Sequence, residues 1–117
     1  MSSSAITKSA LCDSLKKLCE QKPFDKISIS DITGECGLNR QSFYYHFQDK
    51  YELLSYIYLH ELFADITKGV NYDNWYERLE GFLVNMLKDK RFYSNTLKSS
   101  EKIFEHYLFR SMHKLFI

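Results

Sequence analysis

The chain has 117 residues, of which 44% are hydrophobic and 26% charged, a composition typical of a folded globular protein rather than a disordered one. Its formal net charge of +1 excludes the strongly basic surface of many nucleic-acid-binding proteins, so any such binding must come from a small local surface. Only four glycines and one proline interrupt long periodic runs, which predicts an all-α fold. No apolar run has the length of a membrane span or of a signal-peptide core, and we therefore expect a cytoplasmic protein with no membrane partner.

The first two predicted helices have clear boundaries. The first helix is expected to end by Gln21, because Pro23 disfavours helical geometry in the residue before it. The second helix begins at Ser28, whose hydroxyl can cap the open backbone N–H groups. Asp31 lies three residues later and makes this start a near relative of the capping box. Gly37 supplies a left-handed turn residue that ends this helix.

Two more helices follow closely. Asn39 is a good N-cap for a short third helix that runs to about Phe47. Asp49 caps a fourth helix, with Glu52 three residues later, and this helix is predicted to run to about Lys68. A helix, a glycine-containing turn and a second short helix form the helix-turn-helix pattern. In that motif the second helix enters the major groove of DNA and reads base edges, mostly from its N-terminal residues.

The third helix presents two different faces on a helical wheel. Phe43 and Phe47 are spaced to form an apolar stripe that anchors the helix to the core. The opposite face carries amide, phenol and guanidinium groups without a carboxylate, which suits base edges and phosphate oxygens. Its members are Gln41, Tyr44, Tyr45 and Gln48, flanked by Arg40 and His46. The pattern alone leaves open whether the two tyrosines are half-buried helix aromatics, and this question is most open for Tyr45.

The second half of the chain predicts more helices. A loop at residues 69–74 precedes a fifth helix, which runs to about Lys90 and has an apolar stripe made of Trp75, Leu79, Phe82, Leu83, Met86 and Leu87. Residues 91–100 predict a short helix or turn. A last helix then places on one face Phe104, Leu108, Met112 and Leu115. We expect a three-helix helix-turn-helix DNA-binding domain at residues 1–48, and an incomplete helical effector-binding or oligomerisation region at 49–117.

The run "ISISDITGECGLNRQSFYYHFQDKYELL" resembles the DNA-binding region of the TetR/AcrR family of bacterial transcriptional regulators. The likeness is carried by Ile32, by Gly37-Leu38, by the run Ser42-Phe43-Tyr44-Tyr45-His46-Phe47, and by Lys50 with Glu52-Leu53-Leu54. It covers approximately residues 5–60, and residue types and spacing agree along the whole run. The later segment "FLVNMLKDKRFYSNTLKSSEKIFEHYLF" resembles the effector region of regulators of dihydroxyacetone-kinase operons.

This resemblance implies a sequence-specific DNA-binding transcriptional regulator, more specifically a ligand-responsive repressor that binds a palindromic operator as a homodimer. It implies DNA contacts at Ser30, Arg40, Gln41, Ser42, Tyr44, His46 and Lys50. Family members are usually longer and dimerise through later helices that this chain lacks. Separately, the aromatic residues of the second half suggest a pocket for a small-molecule or protein effector, although an ordinary hydrophobic core explains them as well. The pocket residues are Tyr58, Phe63, Trp75, Phe82 and Phe104.

Other functional classes fit the sequence less well. The four histidines lack metal-type spacing with carboxylates or thiols, and the chain has no glycine-rich phosphate loop. We therefore expect no enzyme, no metal site and no cofactor. The remaining alternative is a TetR-like coactivator or protein-interaction module that keeps the fold without itself binding DNA. The intact set of Arg40, Gln41, Tyr44 and Lys50 favours DNA binding over this alternative.

Overall fold

The computed structural model describes the backbone of residues 3–67 and 69–116, and their side chains except at positions 65, 67 and 114–116. All regular structure in this part of the chain is helical, so the all-α prediction is confirmed. The helices are α1 (Ser3–Cys19), α2 (Ile29–Glu35), α3 (Arg40–His46), α4 (Lys50–Ile57), α5 (Ala64–Thr67), α6 (Trp75–Lys88), α7 (Lys90–Ser99) and α8 (Glu101–Phe116).

The chain divides into two compact units, Met1–Ser55 and Tyr56–Ile117, and the boundary between them lies inside α4. The expected functional division into 1–48 and 49–117 stays a prediction. No helix among the described residues is long and apolar enough to cross a membrane.

The first unit packs α1, α2, α3 and the start of α4 around one apolar core. Its fully buried side chains are Leu11, Leu15, Phe24, Ile32, Phe43, Leu53 and Leu54. A short 3-10 turn, Phe24–Lys26, connects α1 to the start of α2. The buried Ser14 hydroxyl of α1 donates to the backbone carbonyl of Ile32, and Lys17 forms a 2.8 Å ion pair with Glu35. These contacts hold α2 against α1 and thereby fix the platform on which α3 is built.

Both ends of α2 are specified locally. The Ser28 hydroxyl accepts the backbone N–H of Asp31 at 3.0 Å, and the Asp31 carboxylate accepts the backbone N–H of Ser28 at 2.9 Å. The predicted capping interaction is thus confirmed as a complete capping box. At the other end Gly37 has a φ of 72°, and the Leu38 N–H donates to the Thr33 carbonyl at 2.9 Å. This is a Schellman turn, and its left-handed residue favours glycine because no Cβ is present.

The capping carboxylate makes α2 sensitive to acid. Lys22 donates to Asp31 at 2.8 Å, and this hydrogen bond, with those from Ser28, lowers the pKa of Asp31 from 3.8 to about 2. A carboxylate with a depressed folded-state pKa stabilises the protein above its unfolded pKa and loses that contribution as the pH falls. We expect the free energy of unfolding to drop between about pH 4 and about pH 2, and to drop less in Asp31→Asn. Urea unfolding followed by circular dichroism at several pH values measures this, and an equal drop in both proteins would contradict it.

The single long helix predicted from Asp49 to Lys68 is wrong. The described residues form α4, then a π-helical turn at Tyr58–Leu62, and then α5, while Lys68 lies outside the described residues. The Phe63 N–H donates to the Tyr58 carbonyl at 2.9 Å, five residues back. Residues five apart lie on different sides of an α-helix, and the wider π turn brings them nearer to one side. Tyr58 and Phe63 are both fully buried as a result.

The second unit has an aromatic core. Tyr58 packs against Phe92, Tyr93 and Phe104, with ring centroids 5.5 to 6.4 Å apart. The Tyr58 hydroxyl lies 2.6 Å from the Thr96 hydroxyl, whose own proton points to the Phe92 carbonyl at 3.0 Å. The two hydroxyls are therefore hydrogen-bonded to each other in the core of this unit. Of residues 91–100, predicted as a short helix or turn, the first nine belong to α7 and Ser100 is its C-cap.

The apolar stripe of α6 lies in a helix as predicted, but it packs differently. Phe82 is buried, whereas Leu79, Leu83 and Leu87 are exposed, the last to 68%. The other described elements of this unit leave that part of the stripe uncovered. On α8, Phe104 is half-buried and packs against the core, while the predicted position Leu115 has its side chain outside the described residues.

Candidate nucleic-acid interface

The short helix α3 is anchored to the core by two phenylalanines and capped by an asparagine. The Asn39 side chain accepts the backbone N–H of Ser42 at 2.8 Å, as its predicted N-cap role requires. Phe43 is fully buried and Phe47 nearly so, with their ring centroids 5.9 Å apart. The predicted anchoring stripe is therefore confirmed, and it fixes which residues of α3 face outward.

The outward side of α3 begins with an arginine and a tyrosine that lie against each other. The Arg40 guanidinium donates to the Tyr44 hydroxyl at 3.4 Å and lies 5.8 Å from the centroid of its ring. Both side chains are exposed, Tyr44 to 48%. Tyr45, whose burial the sequence left open, is 83% exposed, and its ring meets that of His46 edge to face at 5.0 Å. The outward face of α3 thus combines the guanidinium group of Arg40 with two accessible phenol groups.

A shallow polar depression of about 300 Å³ lies beside the N-terminal half of α3. It is lined by Thr7, Asn39, Gln41, Ser42, Tyr45 and His46. Three of these residues were predicted to contact DNA: Gln41, Ser42 and His46. Thr7 was not, because its presence depends on how α1 packs against α3, which the local pattern does not encode. The sequence identified Asn39 as a helix cap and Tyr45 as a ring on the outward face of α3. These two features could have placed both residues among the predicted DNA contacts.

The other two predicted contacts lie outside α3. Ser30 is exposed in the first turn of α2, beside the Ser28 cap. Lys50 begins α4, and its ammonium donates to the backbone carbonyls of Phe24 at 2.7 Å and Ile27 at 2.9 Å. Burial lowers the pKa of Lys50, against the opposing effect of the Asp25 charge. The structure therefore keeps Ser30 accessible but places the Lys50 charge on the protein's own backbone.

Four of the five residues suggested for an effector pocket pack against one another. Phe63 packs against Phe82 at 5.0 Å and Phe104 at 5.5 Å, and Tyr58 contacts Phe104 at 6.3 Å. These four rings fill the space between them and form core. Trp75 is separate from that cluster and 42% exposed.

Trp75 instead lines a cavity of about 390 Å³ within the second unit. The lining is apolar apart from a few groups, and its members are Ile66, Val70, Tyr72, Trp75, Arg78, Leu79, Leu108, Ser111 and Met112. This volume lies at the lower end of the range for small-molecule sites, which is roughly 300–1,000 Å³. Among the residues that the structure describes, no group of three or more His, Cys, Asp or Glu side chains is arranged to hold a metal ion.

The capping box, the Schellman turn at Gly37 and the anchored helix α3 together define a helix-turn-helix protein. Residues 11–57 match the family model described as "Bacterial regulatory proteins, tetR family", and the chain belongs to this family of transcription regulators.

Two curated relatives extend the comparison. The chain is 30% identical over 107 residues to the "HTH-type dhaKLM operon transcriptional activator DhaS" of Lactococcus lactis subsp. lactis (strain IL1403), covering 92% of this chain and 57% of that one. It is 31% identical over 84 residues to the "Transposon Tn10 TetC protein" of Escherichia coli, covering 69% of this chain and 43% of that one. The chain thus spans about half the length of the curated relatives it matches.

Proposed function

We propose that this protein is a sequence-specific DNA-binding regulator of transcription that inserts α3 into the major groove. The observation that carries the proposal is the division of α3 into a buried side, Phe43 and Phe47, and an exposed polar side that contains Arg40, Gln41 and Tyr44. With a formal net charge of +1, the chain has little long-range attraction for DNA. Its affinity must then come from these few local groups.

The residues of α3 divide by the chemistry they offer. Arg40 can pair bidentately with guanine and Gln41 with adenine, and both belong to the first turn, where helix-turn-helix proteins contact base edges. Ser42, Tyr44 and His46 carry groups that suit phosphate oxygens, as does Ser30 at the start of α2. The contact with Tyr44 restrains the Arg40 side chain before DNA binds. The guanidinium is therefore pre-oriented, and less rotamer freedom is lost on binding.

The proposal includes a homodimer on a palindromic operator and control by an effector. Two α3 helices about one DNA turn apart would read both half-sites. The exposed leucines of α6 supply apolar surface that a second copy would cover. The cavity beside Trp75 supplies a site for an apolar small molecule, and among the described residues of its lining Arg78 supplies the one positively charged group. Binding of the effector would repress or release transcription only if its affinity differs between two conformations of the protein.

The test of DNA binding begins with selection of duplexes from a random library by the 117-residue chain. Arg40→Ala should weaken binding to the selected duplex by ~1–3 kcal/mol and relax the preference at one base pair, since one bidentate contact is lost. Fluorescence anisotropy with the selected duplex and single-base variants measures both effects. Arg91→Ala is the matched control, because it removes the same group from an exposed position of α7.

Two outcomes would contradict the proposal. Arg40→Ala with unchanged affinity and unchanged base preference would remove Arg40 from the base-reading set. Enrichment of no sequence at low salt would favour the alternative, a TetR-like coactivator or protein-interaction module that does not itself bind DNA. Light scattering of the same sample reports whether these residues dimerise alone.

A further inference from the structure

The ammonium of Lys50 is enclosed by groups of its own protein. Two of its three donors point to the carbonyls of Phe24 and Ile27, at 2.7 and 2.9 Å. It also lies over the Phe24 ring, 4.5 Å from the centroid, and 5.6 Å from the centroid of Tyr51. Those two rings meet edge to face at 5.5 Å. A charge held by two carbonyls and two aromatic faces is well satisfied without any external anion.

The two carbonyls stand at either end of the 3-10 turn. The Phe24 carbonyl also accepts the Ile27 N–H at 3.1 Å, so the turn is closed before Lys50 reaches it. Ile27 is buried and immediately precedes Ser28, the residue that caps α2. By holding the Ile27 carbonyl, Lys50 fixes the backbone position from which α2 starts.

Lys50 is also close along the chain to the other half of the motif. It is the first residue of α4, directly after Asp49, which accepts the Glu52 N–H at 2.8 Å and so caps that helix. The chain reaches this point from α3 through only three residues, 47–49. One side chain therefore connects the segment that leads out of α3 to the segment that leads into α2.

We propose that Lys50 is a positioning residue that brackets the helix-turn-helix, fixing α2 and α3 against the start of α4, and not a residue that contacts DNA phosphate. This inference rests on the proposed DNA-binding function and gives Lys50 a different role from the DNA contact that the resemblance implied. The two carbonyl hydrogen bonds hold the ammonium against the 3-10 turn, and a phosphate that displaced them would leave the Ile27 carbonyl without this donor in a part-buried position.

The test compares Lys50→Met with Lys26→Met on a duplex selected by the unmodified chain. Methionine keeps the length of the apolar stem but removes the ammonium, and Lys26 is an exposed lysine of the neighbouring 3-10 turn. A positioning role predicts about tenfold weaker binding to the selected duplex for Lys50→Met. It also predicts that the dependence of log K on log [salt] keeps its slope, because no phosphate contact is lost.

Hydrogen exchange supplies a readout that needs no DNA. In Lys50→Met, the amides of α2 and α3 should exchange faster while those of α1 keep their rates, because only the bracket has been removed. Lys26→Met should leave all three helices unchanged. If the unmodified chain selects no sequence, the proposed function fails, and the exchange pattern alone decides whether Lys50 holds the motif in place.

Three results would overturn the inference. A slope reduced by about one per subunit, with an equal loss on random DNA, identifies a phosphate contact. Lower stability with unchanged affinity of the folded protein identifies a purely structural lysine. Uniform acceleration of exchange across the unit does the same.

If Lys50→Met does not fold, Lys50→Arg takes its place. Arginine retains a charge for a phosphate but replaces the compact ammonium with a planar fork that fits the two carbonyls poorly. Weaker operator binding with an unchanged slope of log K against log [salt] then supports the positioning role of Lys50. Full affinity of Lys50→Arg overturns it.

Discussion

Phe43→Ala is expected to unfold the first unit at ambient temperature or to leave it marginally stable. Phe43 is fully buried, and its ring meets Tyr44 at 5.6 Å and Phe47 at 5.9 Å. Truncation of a buried phenylalanine costs ~3–5 kcal/mol, through lost transfer free energy and the cavity left behind. Small domains have a total stability of ~5–15 kcal/mol, so this one substitution removes a large share. Operator binding should disappear with it, because α3 would lose one of the two buried phenylalanines that anchor it.

Tyr45→Ala is the matched control, two residues along the same helix. Its ring is 83% exposed, and truncation of an exposed side chain usually changes stability by less than ~0.5 kcal/mol. Urea unfolding of both variants, followed by circular dichroism, gives the two free energies directly. Similar losses in the two variants, or a small loss in Phe43→Ala, would show that α3 lies the other way round against its core. The exposed polar face on which the proposed function depends would then be wrong as well.

The features that sequence alone predicted well are the ones encoded within a few residues. The capping box of Ser28 with Asp31, the cap at Asn39 and the left-handed turn at Gly37 each depend on short-range hydrogen bonds and backbone sterics. The buried and exposed sides of α3 follow from helical periodicity, which fixes Phe43 on the inner side. These features define most of the helix-turn-helix and its outward face.

The features that sequence missed depend on residues far apart in the chain. Lys50 has the type and the place of a phosphate contact, and only the packing of the 3-10 turn shows that two of its three donors bind backbone carbonyls. The π turn at Tyr58–Leu62 is linked to a buried hydroxyl pair with Thr96, 38 residues away. Thr7 reaches the polar depression because α1 lies beside α3. No local pattern carries that information.

Phe63→Ala is expected to have the largest effect in the second unit. Phe63 is fully buried and contacts the rings of Phe82, Phe104 and Tyr107 at 5.0, 5.5 and 6.0 Å. As a core residue its truncation should cost ~3–5 kcal/mol. The sequence also allowed it to line an effector pocket, and in that case truncation would enlarge a space that is already empty, with little loss of stability. The free energy of unfolding therefore distinguishes the two interpretations.

Trp75→Ala provides the comparison, because Trp75 lines the cavity and is 42% exposed. Less of its apolar surface leaves water on folding, so its truncation should cost no more than about 1–2 kcal/mol. Thermal and urea unfolding of both variants, followed by circular dichroism, measure this difference in stability. In Phe63→Ala, which keeps the chain's single tryptophan, fluorescence gives a second readout. A larger loss in Trp75→Ala than in Phe63→Ala would mean that the cavity wall, and not the aromatic cluster, holds this unit together. An effector that binds beside Trp75 would then bind within the core, where it would compete with the side chains that pack there.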